Sequence, residues 1–168
     1  HAPTPIYAVA IDGPRLLVLN SGNRTPNAVL TQTFATTPGR PYVLSLDIGA
    51  TGLVLQQRLR ITLTGSSQLK QQDETVSGPG GTGSGWSANR TVTFIANSAT
   101  TTLELRDTTS PASNGNNTDL LVDKVRIAPQ ITRVLTVTAS PETGVAVTVS
   151  PADINAAQNG TTGFTRTY

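Results

Sequence analysis

The chain has 168 residues, 36% hydrophobic and 4% aromatic, with no cysteine, no methionine and one histidine. Its 12 Lys or Arg stand against 10 Asp or Glu, a net charge of +2, too dilute a footprint for nucleic-acid recognition. Lack of cysteine excludes disulfides and thiolate metal sites, and no apolar run approaches the roughly 20 residues of a membrane-crossing helix, so no membrane insertion is expected.

Alternating apolar segments separated by polar turns run through the chain, and a period of two is the mark of a half-buried strand. Residues 6–11 read as an edge strand, ended by the turn signal Asp12-Gly13-Pro14, with a second strand over 15–20. Residues 28–34 and 42–48 follow, split by Thr37-Pro38-Gly39; in the latter Tyr42, Leu44, Leu46 and Ile48 share one face. Residues 57–64 and 91–95 are further strands, and Gly78 to Gly85 between them reads as an extended flexible loop. Residues 101–107 and 120–127 close the block, and Pro129 interrupts it. Weaker strand patterns lie at 133–139, 144–149 and 161–167.

The expected fold is therefore all-β, an antiparallel two-sheet sandwich over residues 1–130 with a short C-terminal β extension over 131–168. The extension reads either as strands added to the first domain or as the opening of a second. His1 in the place of an initiator methionine, and a chain that stops at Tyr168 within a strand-like pattern, are read as processed or excised ends.

The run from Gln32 through Phe34, Pro38, Tyr42 and Leu46 to Ala50 resembles a recurring part of extracellular carbohydrate-binding-like, or galactose-binding-like, jelly-roll domains of bacterial surface proteins and of a plant cell-wall family. Residues 101–107 and 120–127 continue the likeness, and residues 141–153 resemble adhesin-like repeats of bacterial secreted proteins. The resemblance implies two antiparallel sheets, an extracellular or cell-surface setting, and attachment to polysaccharide. Such domains commonly open with an Asn-Gly-Ser-Phe-Glu-like strand that sometimes helps to bind structural calcium. This chain lacks it before Tyr7, so another segment or a neighbouring copy is expected to fill that edge.

Several groups of residues are candidates for function. Trp86, the sole tryptophan, offers an indole to stack on a sugar ring, with Gln71, Gln72, Asp73 and Asn89 to bind hydroxyls. The alternative is an aromatic that pins a loop to the core. Arg58 and Arg60, near Glu104, Arg106, Lys124 and Arg126, suit uronic-acid carboxylates if the basic groups converge, and a solvated charge-paired sheet face if they do not. Asp123 shares strand parity with Leu121, Val125 and Ile127, which puts a carboxylate near a dry face. Structural Ca2+ held with Asp107 and Asp119 would answer it, as would hydrogen bonding.

Enzyme chemistry finds little here. His1 alone makes neither a triad nor a two-imidazole copper site, and adjacent Asp73 and Glu74 would point to opposite faces of a strand. Four sequons, at Asn23, Asn89, Asn116 and Asn159, mark Asn/Thr segments that would be glycosylation acceptors only in a glycosylating secretory pathway. The expected role is a non-catalytic polysaccharide-binding or surface-attachment module. The alternative is a structural or adhesive subunit that joins neighbouring copies through terminal β-strands.

Overall fold

A computed structural model describes residues 8–19, 25–113 and 118–131, together with four short strands further on. Eight strands build the first unit: β1 (Leu17–Leu19), β2 (Val29–Ala35), β3 (Pro41–Thr51), β4 (Gln56–Thr64), β5 (Gln68–Ser77), β6 (Ser84–Ile95), β7 (Thr100–Asp107) and β8 (Leu120–Pro129). One antiparallel sheet has the order β1-β8-β3-β6 and the other β2-β7-β4-β5. The chain passes repeatedly between the sheets, and this interleaving is the jelly-roll arrangement.

The core follows from the alternation. Leu44, Leu46 and Ile48 of β3 face Leu59, Ile61 and Leu63 of β4, with Val92, Phe94, Leu103, Leu105, Leu120 and Val122 completing the layer. Each fully buried side chain of this kind contributes about 1.5–3 kcal/mol of transfer free energy. β5 was not legible as a strand. Its sequence, QLKQQDETVS, is polar on both faces, because it is a sheet edge whose inward residues lie at the rim of the sandwich.

Two bulges flank the middle of β3. Opposite Leu46, β8 carries two residues, Lys124 and Val125; opposite Asp47, β6 carries Ala88 and Asn89. Lys124 (φ 53°) and Asn89 (φ 57°) both adopt left-handed backbone, the local strain expected of an inserted residue. The bulge in β8 shifts its parity. Leu121 and Asp123, in register with Gly49 and Asp47, lie on the outer face, whereas Ile127 pairs with inward Leu44. The expectation that Asp123, Val125 and Ile127 share a dry face is thus corrected by one extra residue.

The glycine-rich segment is also different from expectation. Gly78 sits against the carbonyls of Thr51, Gly52 and Leu53, where an added Cβ would lie 2.1–2.9 Å from those oxygens. Hydrogen bonds Gly52 N–H to Gly83 O (3.1 Å) and Gly80 N–H to Gly52 O (2.8 Å) latch the two turns together. Gly78 serves close backbone approach, Gly80 and Gly81 take positive φ, and β6 already begins at Ser84.

Residues 8–11, the described part of the first expected strand, are not a strand. The Ile11 and Asp12 N–H groups instead donate to Asp123 Oδ2 at 2.8 and 3.1 Å. The chain's own β1 takes the edge beside β8, but only along Leu120–Val122.

The chain divides at Pro129/Gln130. In the second unit β9 (Val134–Thr136) pairs with β12 (Thr165–Thr167), and β10 (Ala146–Thr148) with β11 (Asn159–Thr161), both antiparallel. Among the described residues, no helix is long and apolar enough to cross a membrane.

Candidate binding site

The shortness of β1 creates the most distinctive surface of the sandwich. Beyond Val122, β8 has no ladder partner on its outward side among the described residues, and β2 is the edge of the other sheet. The two sheets part between these edges and leave a slot of about 410 Å³ lined by Gln32, Phe34, Ala35, Tyr42, Leu103, Val125, Ile127 and Pro129. Leu30 and Leu105 extend it along β2 and β7. The bulge in β8 contributes directly, since it turns Lys124 toward Asp47 and leaves Val125 in the slot.

Aromatic packing stiffens the slot. Tyr42 stacks on Phe94 with centroids 5.5 Å apart and planes at 16°, and Phe34 meets Phe94 edge-on at 6.5 Å. The Tyr42 hydroxyl accepts the Thr37 N–H at 3.0 Å, which fixes the ring and satisfies its polar end. Leu30 and Val125 remain nearly half exposed. The walls are apolar, and Gln32 is the polar side chain among the lining residues.

The residues singled out from the sequence fall in three places. Arg58, Arg60 and Asp73 meet on the outer face of β4 and β5: Arg60 donates two hydrogen bonds to Asp73 (2.8 and 2.9 Å), and Arg58 Nε lies 3.6 Å from it. The Arg60 hydrogen bond is the main cause that holds the Asp73 carboxyl below its ordinary pKa. Nearby, Arg106 pairs with Glu104 at 3.0 Å. Arg58 and Arg60 thus share one carboxylate, and Arg106 has its own. Gln71 shares this outer face, whereas Gln72 lies on the inner one and donates to Glu74 (2.6 Å), which is ion-paired with Arg90 at 3.5 Å.

Trp86 belongs to the other sheet. Its register partner is Gly49, and a Cβ on Gly49 would lie 2.8 Å from Trp86 Cδ2 and Cε3. The indole therefore lies on the bare glycine backbone, half-buried, with Nε1 enclosed and without a hydrogen-bond partner. Asn89, at the bulge of β6, gives its N–H to Asp47 Oδ1 at 2.6 Å. Trp86 and Asn89 are thus on a different sheet from Gln71, Gln72, Asp73, Arg58 and Arg60.

The acidic trio is divided as well. Asp123 is on the outer face of its sheet; burial would raise its pKa, but N–H donors from Ile11, Lys124 and Asp12, with the Lys124 charge, outweigh that and lower it. Asp47 beside it is ion-paired with Lys124 Nζ at 3.2 Å. Asp107 and Asp119 lie at one end of the sandwich, where burial raises the pKa of Asp119. No group of three or more His, Cys, Asp or Glu is placed to hold a metal among the described residues.

No family model matches the chain, and no curated protein matches it. Solved structures similar to it include a CBM4 structure, at 14% identity and TM-score 0.45 over 61% of this chain. The sugar-binding EclA C-terminal domain is similar at 16% identity and TM-score 0.48, over 76% of this chain and 84% of that one. The Podospora anserina GH26-CBM35 β-(1,4)-mannanase is similar at 17% identity and TM-score 0.40, over 80% of this chain. The chain spans 61% of the length of the CBM4 structure and 25% of the mannanase. At these identities and TM-scores the likenesses say nothing of a ligand, and the jelly roll rests on the chain's own strand order.

Proposed function

We propose that the first unit is a non-catalytic module that attaches its protein to polysaccharide outside the cell, and that the slot between β2 and β8 receives the glycan. The single observation that carries this reading is the slot: about 410 Å³, apolar and aromatic-walled, bordered by two open strand edges. That volume is in the range of small-ligand sites. Phe34 and the aliphatic walls suit the CH faces of a sugar ring, while Gln32 and the edge backbone that has no ladder partner among the described residues suit its hydroxyls.

A glycan array probed with the intact chain tests the reading. Gln32→Ala is expected to weaken binding about 2- to 10-fold by removing one polar contact, and Ala35→Arg to abolish it by filling the slot. Trp86→Ala is expected to leave affinity unchanged. Full affinity in both slot variants would end the slot assignment, and failure to bind any glycan would end the polysaccharide reading.

A second reading rests on a separate observation, that among the described residues β8 has no ladder partner on its outward side beyond Val122. An open edge beside an apolar slot is suited to accept a strand from a neighbouring copy. Sedimentation across a wide concentration range distinguishes the two readings. Self-association lost in Val125→Lys supports strand addition, and a monomer at every concentration excludes it.

A further inference from the structure

We propose that the open edge of β2 is a self-pairing surface. Two copies of this chain join β2 to β2, antiparallel about a two-fold axis at Gln32, and make one continuous sheet of their two four-stranded ones. This goes beyond strand addition at β8, since the edge, the partner strand and the symmetry all differ. Charge, bulges, proline and shortness are the means by which sheet edges avoid pairing, and the other edges of the first unit use them. β1 is three residues long. β5 contains Lys70, Asp73 and Glu74 and a register shift against β4, and β6 contains Arg90 and the left-handed Asn89 at its bulge. Beyond β1, β8 has Lys124 in left-handed backbone and ends at Pro129.

β2 has none of these devices. Its seven residues, VLTQTFA, include no charge, proline or glycine and run in unbroken register with β7, a composition suited to strand pairing. Val29 and Leu30 are 44% and 45% exposed. The existing ladder fixes which backbone groups face outward. Asp107 N–H donates to Ala28 O at 2.9 Å, and Thr36 N–H donates to Ala99 O at 2.8 Å. The even-numbered residues of β2 therefore bond to β7, and the N–H and C=O of Val29, Thr31, Thr33 and Ala35 point to the open side. Among the described residues, no strand meets them.

The segment is its own complement, which favours a second copy over an unrelated strand. Antiparallel pairing centred on Gln32 sets Thr31 opposite Thr33 and Val29 opposite Ala35 as hydrogen-bonded pairs, so each outward N–H of one strand meets an outward C=O of the other. On the slot side Leu30 lies opposite Phe34, and on the outer side Thr31 lies opposite Thr33, both favourable cross-strand pairs. Gln32 meets its own copy, and no like charges are opposed. Because β7 already occupies the other side of β2, one such contact uses both open edges and closes as a dimer.

The test is sedimentation of the intact chain across a wide concentration range, where a reversible dimer is expected. Thr31→Pro removes an outward N–H and spares the bonds to β7. It is expected to weaken the dimer about tenfold or more, since each copy loses one donor. Val125→Lys, on β8, is expected to leave the dimer unchanged. The chain has no cysteine, so Gln32→Cys reads the register directly. Cα atoms about 4.5 Å apart in a non-hydrogen-bonded pair are within disulfide range, and mild oxidation is expected to give a covalent dimer. Thr62→Cys, on the outer face of β4, is expected to give none. A parent chain that stays monomeric at every concentration would overturn the proposal whatever the glycan array shows. Absence of the Gln32→Cys cross-link would overturn it even if Thr31→Pro does not fold. A dimer kept in Thr31→Pro and lost in Val125→Lys would assign self-association to β8 instead.

Discussion

Asp123 illustrates how backbone donors from two segments can converge on a single carboxylate. Its two oxygens accept three backbone N–H groups, from Ile11, Asp12 and Lys124, so it staples the amino-terminal stretch to β8. Neither the outer-face position of Asp123, which the bulge in β8 sets, nor its partners were legible from the sequence, because two of those partners lie more than 110 residues away. Asp123→Asn places an NH2 where a donor already points and is expected to destabilise the fold by about 1–3 kcal/mol in urea denaturation. The lowered pKa sets the pH dependence. Stability from Asp123 is fully present above its unfolded pKa of about 3.9 and is lost as pH falls through the lower folded value. Asp119 acts in the opposite sense: its raised pKa imposes a cost at neutral pH that is relieved as pH falls through that value. The acid limb of a stability–pH profile should therefore be shallower in Asp123→Asn.

Elements differ in how plainly they announce themselves. β3, β4 and β7 were legible because one face of each packs into the core, leaving an uninterrupted alternation. β5 was hidden by its polar composition, and the parity of β8 by its bulge. The Gly78 to Gly85 stretch has the composition of a flexible linker, yet its turn is latched to the 51–55 turn through backbone approach. Comparing two glycines of that turn checks this. Gly78→Ala forces a Cβ onto three backbone oxygens and is expected to cost more than about 2 kcal/mol. Gly81→Ala meets open space but has φ 75°, so it is expected to cost about 1 kcal/mol. Equal urea midpoints for the two variants would contradict the latch.

For the molecule as a whole, every strand assigned to the two jelly-roll sheets among the described residues ends by Pro129. Removal of residues 130–168 is therefore expected to leave one cooperative unfolding transition, with a midpoint within a few degrees of the intact chain's; a chain that no longer folds would show that the second unit supplies essential structure. The pairing of β1 with β8 joins residues about a hundred positions apart, Leu17 with Val122. Such non-local topology predicts refolding in milliseconds to seconds rather than microseconds.

Local alternation of apolar and polar residues was sufficient to determine an all-β chain, its main strands and the inward side chains of β3, β4 and β7, because strand periodicity is written between neighbours. Which strands pair, where β1 stops short, and which N–H groups reach Asp123 were decided only in three dimensions. The slot depends on how far β1 accompanies β8 among the described residues, and the seat of Asp123 on N–H groups from a distant segment. Neither kind of feature leaves a contiguous pattern, since each arises from register and burial between distant segments.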